Sequence, residues 1–236
     1  MVGADSKIGS CLANYLISKG ERVLLTTRRR ETVSDSRIFL DLSNDVENWR
    51  IIEDISVAYL CAAVTSIAKC RTMPLESYIV NVRNTLILAK NLISRSTFLV
   101  FPSTNLVYDC KRPFLKAEEP LNPRTEYGRQ KAEVEKHLSK MGKGVSIVGV
   151  IRFYNVLRRV FQISGSEEIS YEQIARHIAR RLSASQELVK PVLAREAGVP
   201  PDEALEHSSL DTTRLKNELG LVPPNVWHTI DSVVEI

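Results

Sequence analysis

Tyr127 and Lys131 stand four residues apart in T-E-Y-G-R-Q-K-A-E-V-E-K, and Ser103-Thr104 close an apolar run upstream of them. Residues at i and i+4 share one face of a helix, so this spacing lays a lysine ammonium beside a tyrosine phenol. A free phenol titrates near pH ~10, and a neighbouring positive charge lowers that value. A phenol tuned in this way gives or takes the proton of a carbonyl–alcohol pair near neutral pH. With seven tyrosines in the chain, one Y-x-x-x-K arises by chance in roughly one chain in three. The pair alone therefore weighs little, and its meaning depends on the elements that would position it.

Those elements alternate. Residues 9–19 carry apolar side chains at helical spacing and stop at Gly20, and Arg22 to Thr27 reads as a buried strand. A short strand from Arg37 to Leu42 follows, then one from Ser56 to Ala63, a long helix from Leu75 to Ser94, and a strand from Thr97 to Pro102. The helix bearing Tyr127 and Lys131 leads to a further strand, Val145 to Phe153. Strands separated by helices imply right-handed crossovers, hence an α/β fold with a doubly wound parallel sheet covered on both faces. Ligands of such sheets bind beyond the carboxyl ends of the strands. Gly3, Thr27, Asp41, Ala62-Ala63, Ser103-Thr104 and Arg152 all fall at those ends, which predicts a single crevice. Beyond about Leu157 the texture changes to a strand-like V-F-Q-I-S-G, an amphipathic helix from Tyr171 to Leu182, and a helix opened by Asp211 and closed at Gly220. This reads as a small C-terminal lobe, with residues 1–156 as the dinucleotide-binding domain and 157–236 as a shortened substrate lobe.

The run V-G-A-D-S-K-I-G-S from Val2 places a glycine-containing turn ahead of a helix N-terminus, where backbone N–H groups receive a pyrophosphate. Gly3 and Gly9 match the outer glycines of a G-x-x-G-x-x-G turn, with Ser6 at the middle position, where its side chain narrows the approach. Arg28-Arg29-Arg30 follow the second strand. An acid near this place bonds a ribose 2′-hydroxyl, whereas arginine accommodates a 2′-phosphate. No acid ends that strand, so NADP(H) is favoured over NAD(H), and a solvated arginine run is the structural alternative.

Taken in order, G-A-D-S-K-I-G, D-L at Asp41, C-A-A at Cys61, N-V-R-N-T at Asn81, P-S-T-N-L-V-Y-D at Pro102, Y-G-R-Q-K and I-R-F-Y-N-V resemble the extended short-chain dehydrogenase/reductase family. The string S-T-N-L-V-Y-D is most similar to the dTDP-4-dehydrorhamnose reductase branch. The resemblance implies a Rossmann fold and an NADP(H)-dependent reductase or epimerase, with NAD as the alternative cofactor, acting on a nucleotide-activated sugar. By position, Thr104 would bond the substrate oxygen, Tyr127 would be the general acid, and Lys131 would bond the nicotinamide ribose and lower the tyrosine pKa. Gly3, Asp5, Ser6, Lys7, Ile8, Gly9, Arg28, Arg29, Asp41, Leu42, Ala62, Ala63, Asn81 and Tyr154 would complete the cofactor site. Asn81 could equally bond a loop carbonyl, and Arg152 could be a structural ion-pair partner. The family habit of pairing through two helices suggests a homodimer.

Two departures from the pattern carry expectations of their own. Only Met1 and Val2 precede Gly3, where the family has a full central strand. Strands usually run about five or six residues, so a gap or stub is expected mid-sheet, through either a start assigned too far downstream or a compromised protein. Between Asn155 and Val160 the stretch that builds the family's substrate pocket looks deleted. A non-catalytic, NADP(H)-binding regulatory protein is therefore the rival reading.

Bulk properties narrow the field further. The chain has 236 residues, 44% hydrophobic and 25% charged, with a net charge of +4, enough for one core with a small lobe. The arginine clusters are short and lack an aromatic-rich basic stripe, which disfavours nucleic-acid binding. Cys11, Cys61, Cys70 and Cys110 are too scattered for zinc or a disulfide framework, and Cys11 and Cys61 are expected to be buried. No metal site, signal peptide or membrane-spanning run is evident, and a cytoplasmic setting is expected. His137 and His177, with no acidic partner at metal spacing, read as surface residues. His207 and His228 are candidates for substrate contact, and Trp49 and Trp227 are read as packing residues.

Overall fold

The computed structural model describes residues 1–46, 49, 54–141, 145–149, 152–155 and 159–234, with the backbone alone described at 145–149, 152–155 and 159. In chain order the elements are α1 (Lys7–Ser18), β1 (Leu25–Thr27), β2 (Arg37–Phe39), β3 (Val57–Tyr59), α2 (Ile67–Thr72), α3 (Pro74–Tyr78), a π turn (Ile79–Asn84), α4 (Thr85–Ile93), β4 (Phe98–Ser103), α5 (Glu126–Lys140), β5 (Val145–Gly149), β6 (Arg152–Asn155), β7 (Arg159–Gln162), α6 (Tyr171–Arg181), α7 (Thr213–Leu219) and α8 (Val226–Val233). The doubly wound α/β arrangement follows from the alternating pattern. Strand pairs β1–β2, β3–β4, β4–β5 and β5–β7 are parallel, whereas β6 pairs antiparallel with β7. The run expected as one strand from Val145 to Phe153 is thus two, and β7, beyond residue 156, is a strand of the main sheet.

The stub expected at the N-terminus holds the middle of this sheet together. Regular pairing gives two sheets, β1-β2 and β3-β4-β5-β7-β6, and Met1-Val2 lie between them. Thr26 N–H donates to Met1 O at 3.0 Å, Val2 N–H to Tyr59 O at 2.8 Å, and Cys61 N–H to Val2 O at 2.8 Å. The Met1 ammonium donates to Leu24 O at 2.7 Å. Two residues thus supply the ladder bonds that buried strand edges require. The ammonium is mostly desolvated by its burial, which brings its pKa down from 8.0 to about 6.

Apolar faces on either side fix the helices. Met1, Ala4 and Ala13 form one cluster with Leu25 and Tyr59, which seats α1 on one face of the sheet. Val2, Leu60, Leu99 and Phe101 pack against Leu88 and Leu92 of α4 and Val134 and Leu138 of α5 on the other. Capping is conventional: Ser6, Thr125 and Ser170 accept N–H bonds from Gly9, Gly128 and Gln173 at the starts of α1, α5 and α6. Asp211 accepts from Thr213 N–H at 2.7 Å just ahead of α7, and Gly220 ends it at φ 64°.

Two expectations about single residues are corrected. Cys11 is exposed, because α1 turns it away from the sheet, whereas Cys61 packs beside Met1. His177 is not an open surface residue: its half-buried ring lies 2.7 Å from Asp231 Oδ1 through Nε2, and the Trp227 ring of α8 is tilted against it at 4.9 Å. Asp231 lies 54 residues away along the chain, beyond any local spacing rule.

Candidate functional site

A crevice of about 170 Å³ opens at the carboxyl ends of β1, β2 and β3. Gly3, Asp5, Ser6, Arg28, Asp41, Leu42, Ala62 and Ala63, eight of the expected cofactor residues, line it. Close backbone approach explains the glycines. Gly3 has φ +79°, and a Cβ there would lie 2.6 Å from Ala62 N; one on Gly9 would lie 2.3 Å from Gly3 O. The turn must therefore be bare of side chains at both points. Ser6 is accommodated because its hydroxyl is engaged inside the turn, donating to Gly3 O at 2.8 Å and accepting from Gly9 N–H at 3.0 Å. Helix geometry leaves the amides of Lys7 and Ile8 without intrahelical partners at this end of α1.

The arginine run divides three ways. Arg28 lines the crevice, Arg29 reaches the Asp5 carboxylate at 3.0 Å, and Arg30 lies over the ring of Phe39 at 4.0 Å. Arg37 of β2, which sequence reasoning passed over, also bonds Asp5, at 2.8 Å.

Two asparagines of the π turn brace the crevice walls. π segments re-aim side chains inside a helix, and here Asn81 and Asn84 both point inward. Asn81 Oδ1 accepts from Val64 N–H at 2.7 Å, and its Nδ2 donates to Val64 O at 2.9 Å and to Gln130 Oε1 at 2.8 Å. Asn84 Nδ2 donates to Leu42 O and Asn44 O, both at 2.7 Å. The loop-carbonyl alternative for Asn81 is the one observed, and Asn84, its i+3 neighbour in N-V-R-N, was the overlooked half of the device.

Val64 connects the crevice to the Tyr-Lys helix. It lines the crevice and packs against the cluster of Cys70, Leu106 and Tyr127. Gly128 sets that contact: a Cβ there would lie 2.1 Å from Leu106 O, so α5 meets the loop after Thr104 backbone to backbone. Tyr127 is only 8% exposed, with Ile67 and Leu205 completing its cover. Thr104 accepts from Leu106 N–H at 3.2 Å, capping a 3₁₀ turn, Asn105–Val107.

Electrostatics here depart from expectation. Tyr127 is pushed up from 10.0 to about 12, first by burial and then by Cys70. Lys131, 3% exposed, is instead brought down from 10.5 to about 7 by burial, against the opposing pull of Glu135 and Cys61. Its ammonium donates to Pro102 O and lies over the Phe101 ring at 3.7 Å. The two side chains share a helix, yet the expected lowering of the phenol by the lysine is absent, because the ammonium turns toward β4. Glu135 in turn accepts a hydrogen bond from Ser103. Cys61, on the crevice wall, is raised to about 11 by burial, and Lys131 is one of the charges opposing that rise.

Tyr154 and Arg152 lie on β6, and their side chains fall outside the described residues. Among the described residues no cluster of three metal-ligating side chains occurs, and no helix is long and apolar enough to cross a membrane.

Known proteins place this arrangement. A dTDP-4-dehydrorhamnose reductase of Aggregatibacter actinomycetemcomitans is 29% identical over 141 residues, which is 58% of this chain and 45% of the relative. The aligned stretch thus spans less than half of that curated relative's length. The structure of a dTDP-4-dehydrorhamnose reductase from Clostridium acetobutylicum superposes with a TM-score of 0.78 at 17% identity, over 99% of this chain and 97% of the other. That of a Bacillus anthracis dTDP-4-dehydrorhamnose reductase in complex with NADP gives 0.74 at 15% identity, over 97% and 94%. These likenesses are of fold. Residues 1–158 match the model of the RmlD substrate binding domain, and the chain belongs to that family.

Proposed function

We propose that the chain is an NADP(H)-dependent oxidoreductase or epimerase acting on a carbonyl of a nucleotide-activated sugar. The observation that carries this reading is Val64, which joins a glycine-walled crevice to the helix face holding Tyr127 and Lys131. Relatives support the cofactor and substrate class: similar structures hold NADP, UDP-glucuronic acid with NAD, or UDP-glucose with NAD.

The crevice suits a dinucleotide on its own chemistry. Gly3 and Gly9 leave the turn open to a pyrophosphate at the start of α1. Asp41 and Leu42 would flank the adenine, and Ala62 and Ala63 would line the path toward the ribose. Lys131 would hold the nicotinamide ribose. The nicotinamide supplies or accepts the hydride. Tyr127 would protonate the oxygen of the carbonyl being reduced, and Thr104 would align that oxygen by turning its hydroxyl proton from Asn105 Oδ1, 3.3 Å away, to the substrate while its oxygen keeps the capping bond.

The burial of Tyr127, its pKa of about 12 and the cover given by Leu205 favour a second reading, a non-catalytic NADP(H)-binding protein. Calorimetric titration of NADPH followed by turnover assays on keto forms of nucleotide-sugars separates the two. Under the leading reading Tyr127→Phe keeps NADPH affinity and lowers turnover roughly 10²- to 10⁴-fold. Unchanged turnover removes Tyr127 from the chemistry, and cofactor binding without turnover in the parent protein supports the second reading.

A further inference from the structure

We infer that Asp5 sets the dinucleotide selectivity of the crevice: it holds Arg29 and Arg37 in a ready-made anion site that a ribose 2′-phosphate must take from it. This rests on the dinucleotide reading above and deepens it.

The cluster has the composition of a phosphate site with a carboxylate as occupant. Asp5 Oδ1 accepts from Arg29 Nη2 at 3.0 Å and from Arg37 Nη1 at 2.8 Å, and Oδ2 accepts from Thr27 Oγ1 at 2.7 Å. Two guanidiniums and a hydroxyl converging on one anion is the donor set that recognises phosphate as readily as carboxylate. Asp5 and Thr27 themselves line the crevice, with Arg28 beside them, so the cluster forms the crevice rim. Burial raises the Asp5 carboxyl, but the Thr27 hydroxyl and the two arginines outweigh it and hold the group below its usual value. It is therefore ionised at neutral pH.

Charge then decides which cofactor the rim suits. Arg28, Arg29 and Arg37 against Asp5 leave a net charge of +2 at the rim; Arg30 is directed to Phe39. Arg28 makes no ion pair among the described residues. A phosphomonoester carries about −1.5 to −2, close to the charge the rim offers, whereas a ribose hydroxyl brings none. Arg37 carries the larger share, because its side chain is 27% exposed against 59% for Arg29 and is screened less. The Asp5 carboxylate works against the incoming phosphate twice: it occupies both guanidiniums, and it repels a like charge.

Calorimetry on the full chain with ADP and with adenosine 2′,5′-bisphosphate tests this without any turnover. The parent protein is expected to bind the bisphosphate roughly tenfold more tightly. Asp5→Asn, which keeps the shape and removes the charge, is expected to widen that ratio by roughly another tenfold. Arg37→Gln is expected to bring the ratio close to one, and Arg29→Gln to lower it less, with thermal melts verifying that each variant folds. A ratio of one in the parent overturns the inference. So does an Asp5→Asn variant that weakens ADP and leaves the bisphosphate unchanged, since Asp5 would then be the acceptor of a 2′-hydroxyl. Binding of neither nucleotide removes the dinucleotide reading and this inference with it, whereas equal binding of both removes this inference alone.

Discussion

Lys131 makes the protein's stability depend on pH in a way that a single substitution isolates. Its ammonium is buried against the Phe101 ring and Pro102 O, and burial takes its pKa from 10.5 to about 7. Below about pH 7 the lysine is charged in both folded and unfolded chains, and the folded state bears the full desolvation penalty. As the pH rises above the folded value, the folded chain has released the proton while the unfolded chain still holds it. Stability therefore rises with pH, by at most about 1.4 kcal/mol per pH unit, or about 2 kcal/mol between pH ~7 and ~9.

Other groups titrate nearby and set the useful window. Cys61 and Cys110, both raised from 9.0 to about 11, contribute stability that declines above pH 9.0. Lys131→Met removes only the lysine's share, so the difference between parent and variant is the quantity to follow. Urea denaturation of both proteins across pH ~7 to ~9 is expected to show the parent gaining about 2 kcal/mol relative to the variant. Near the lower end Lys131→Met is expected to be at least as stable as the parent, because it buries no charge. Parallel curves for the two proteins would refute the claim that the ammonium is desolvated in the fold.

Other perturbations have equally definite outcomes. Gly128→Ala places a Cβ 2.1 Å from Leu106 O, so α5 must shift; a loss of about 1–3 kcal/mol in urea denaturation is expected, the cost of overpacking. Asn81→Ala leaves both Val64 backbone groups without their partner and is expected to cost about 2 kcal/mol or more, with weaker NADPH binding because Val64 lines the crevice. Asp231→Ala frees α8 from His177 and Arg181, so hydrogen exchange is expected to speed up across Val226–Val233 with α1 unchanged. The His177 hydrogen bond, followed by Arg181 and other charges, outweighs desolvation and lowers the Asp231 carboxyl. The same loosening is therefore expected in the parent as pH falls below 3.8 toward the lowered folded value.

The fold was legible in the chain because burial on both faces of a parallel sheet leaves a repeating mark. Runs such as T-F-L-V-F-P stand out against helices with one apolar face, and the observed strand Phe98–Ser103 lies within a residue of the expected span. The crevice was legible for a related reason. A strand end followed by glycine, small residues or an acid is a local signal, and of the residues chosen on it Gly3, Thr27, Asp41, Ala62 and Ala63 line one cavity, whereas Ser103 and Thr104 lie outside its lining. Contacts made by side chains far apart in sequence leave no local mark. Arg37 joins Asp5 across 32 residues and Asp231 joins His177 across 54, so both pairs had to be seen in space.

The Tyr-Lys pair shows where spacing stops being informative. Four residues along a helix fix which face two side chains share; they do not fix where each polar end goes. At Lys131 the competition is between a phenol one turn away and groups at the end of β4, and β4 holds it, with Pro102 O accepting and the Phe101 ring beneath. Glu135, one turn further along α5, raises the lysine and is itself held by Ser103. The residue before Thr104 thus reaches the lysine through a carboxylate that no motif named. Turning the ammonium toward Tyr127 means giving up the Pro102 bond, which a cofactor ribose could replace with hydroxyl acceptors. Because Lys131 sits near pH 7, such an exchange would favour its charged form and draw in a proton. NADPH titrations near pH ~7.5 in buffers of different ionisation heat are then expected to show uptake of a fraction of a proton that Lys131→Met abolishes. Equal heats across buffers would mean that the cofactor leaves the lysine where the fold has put it.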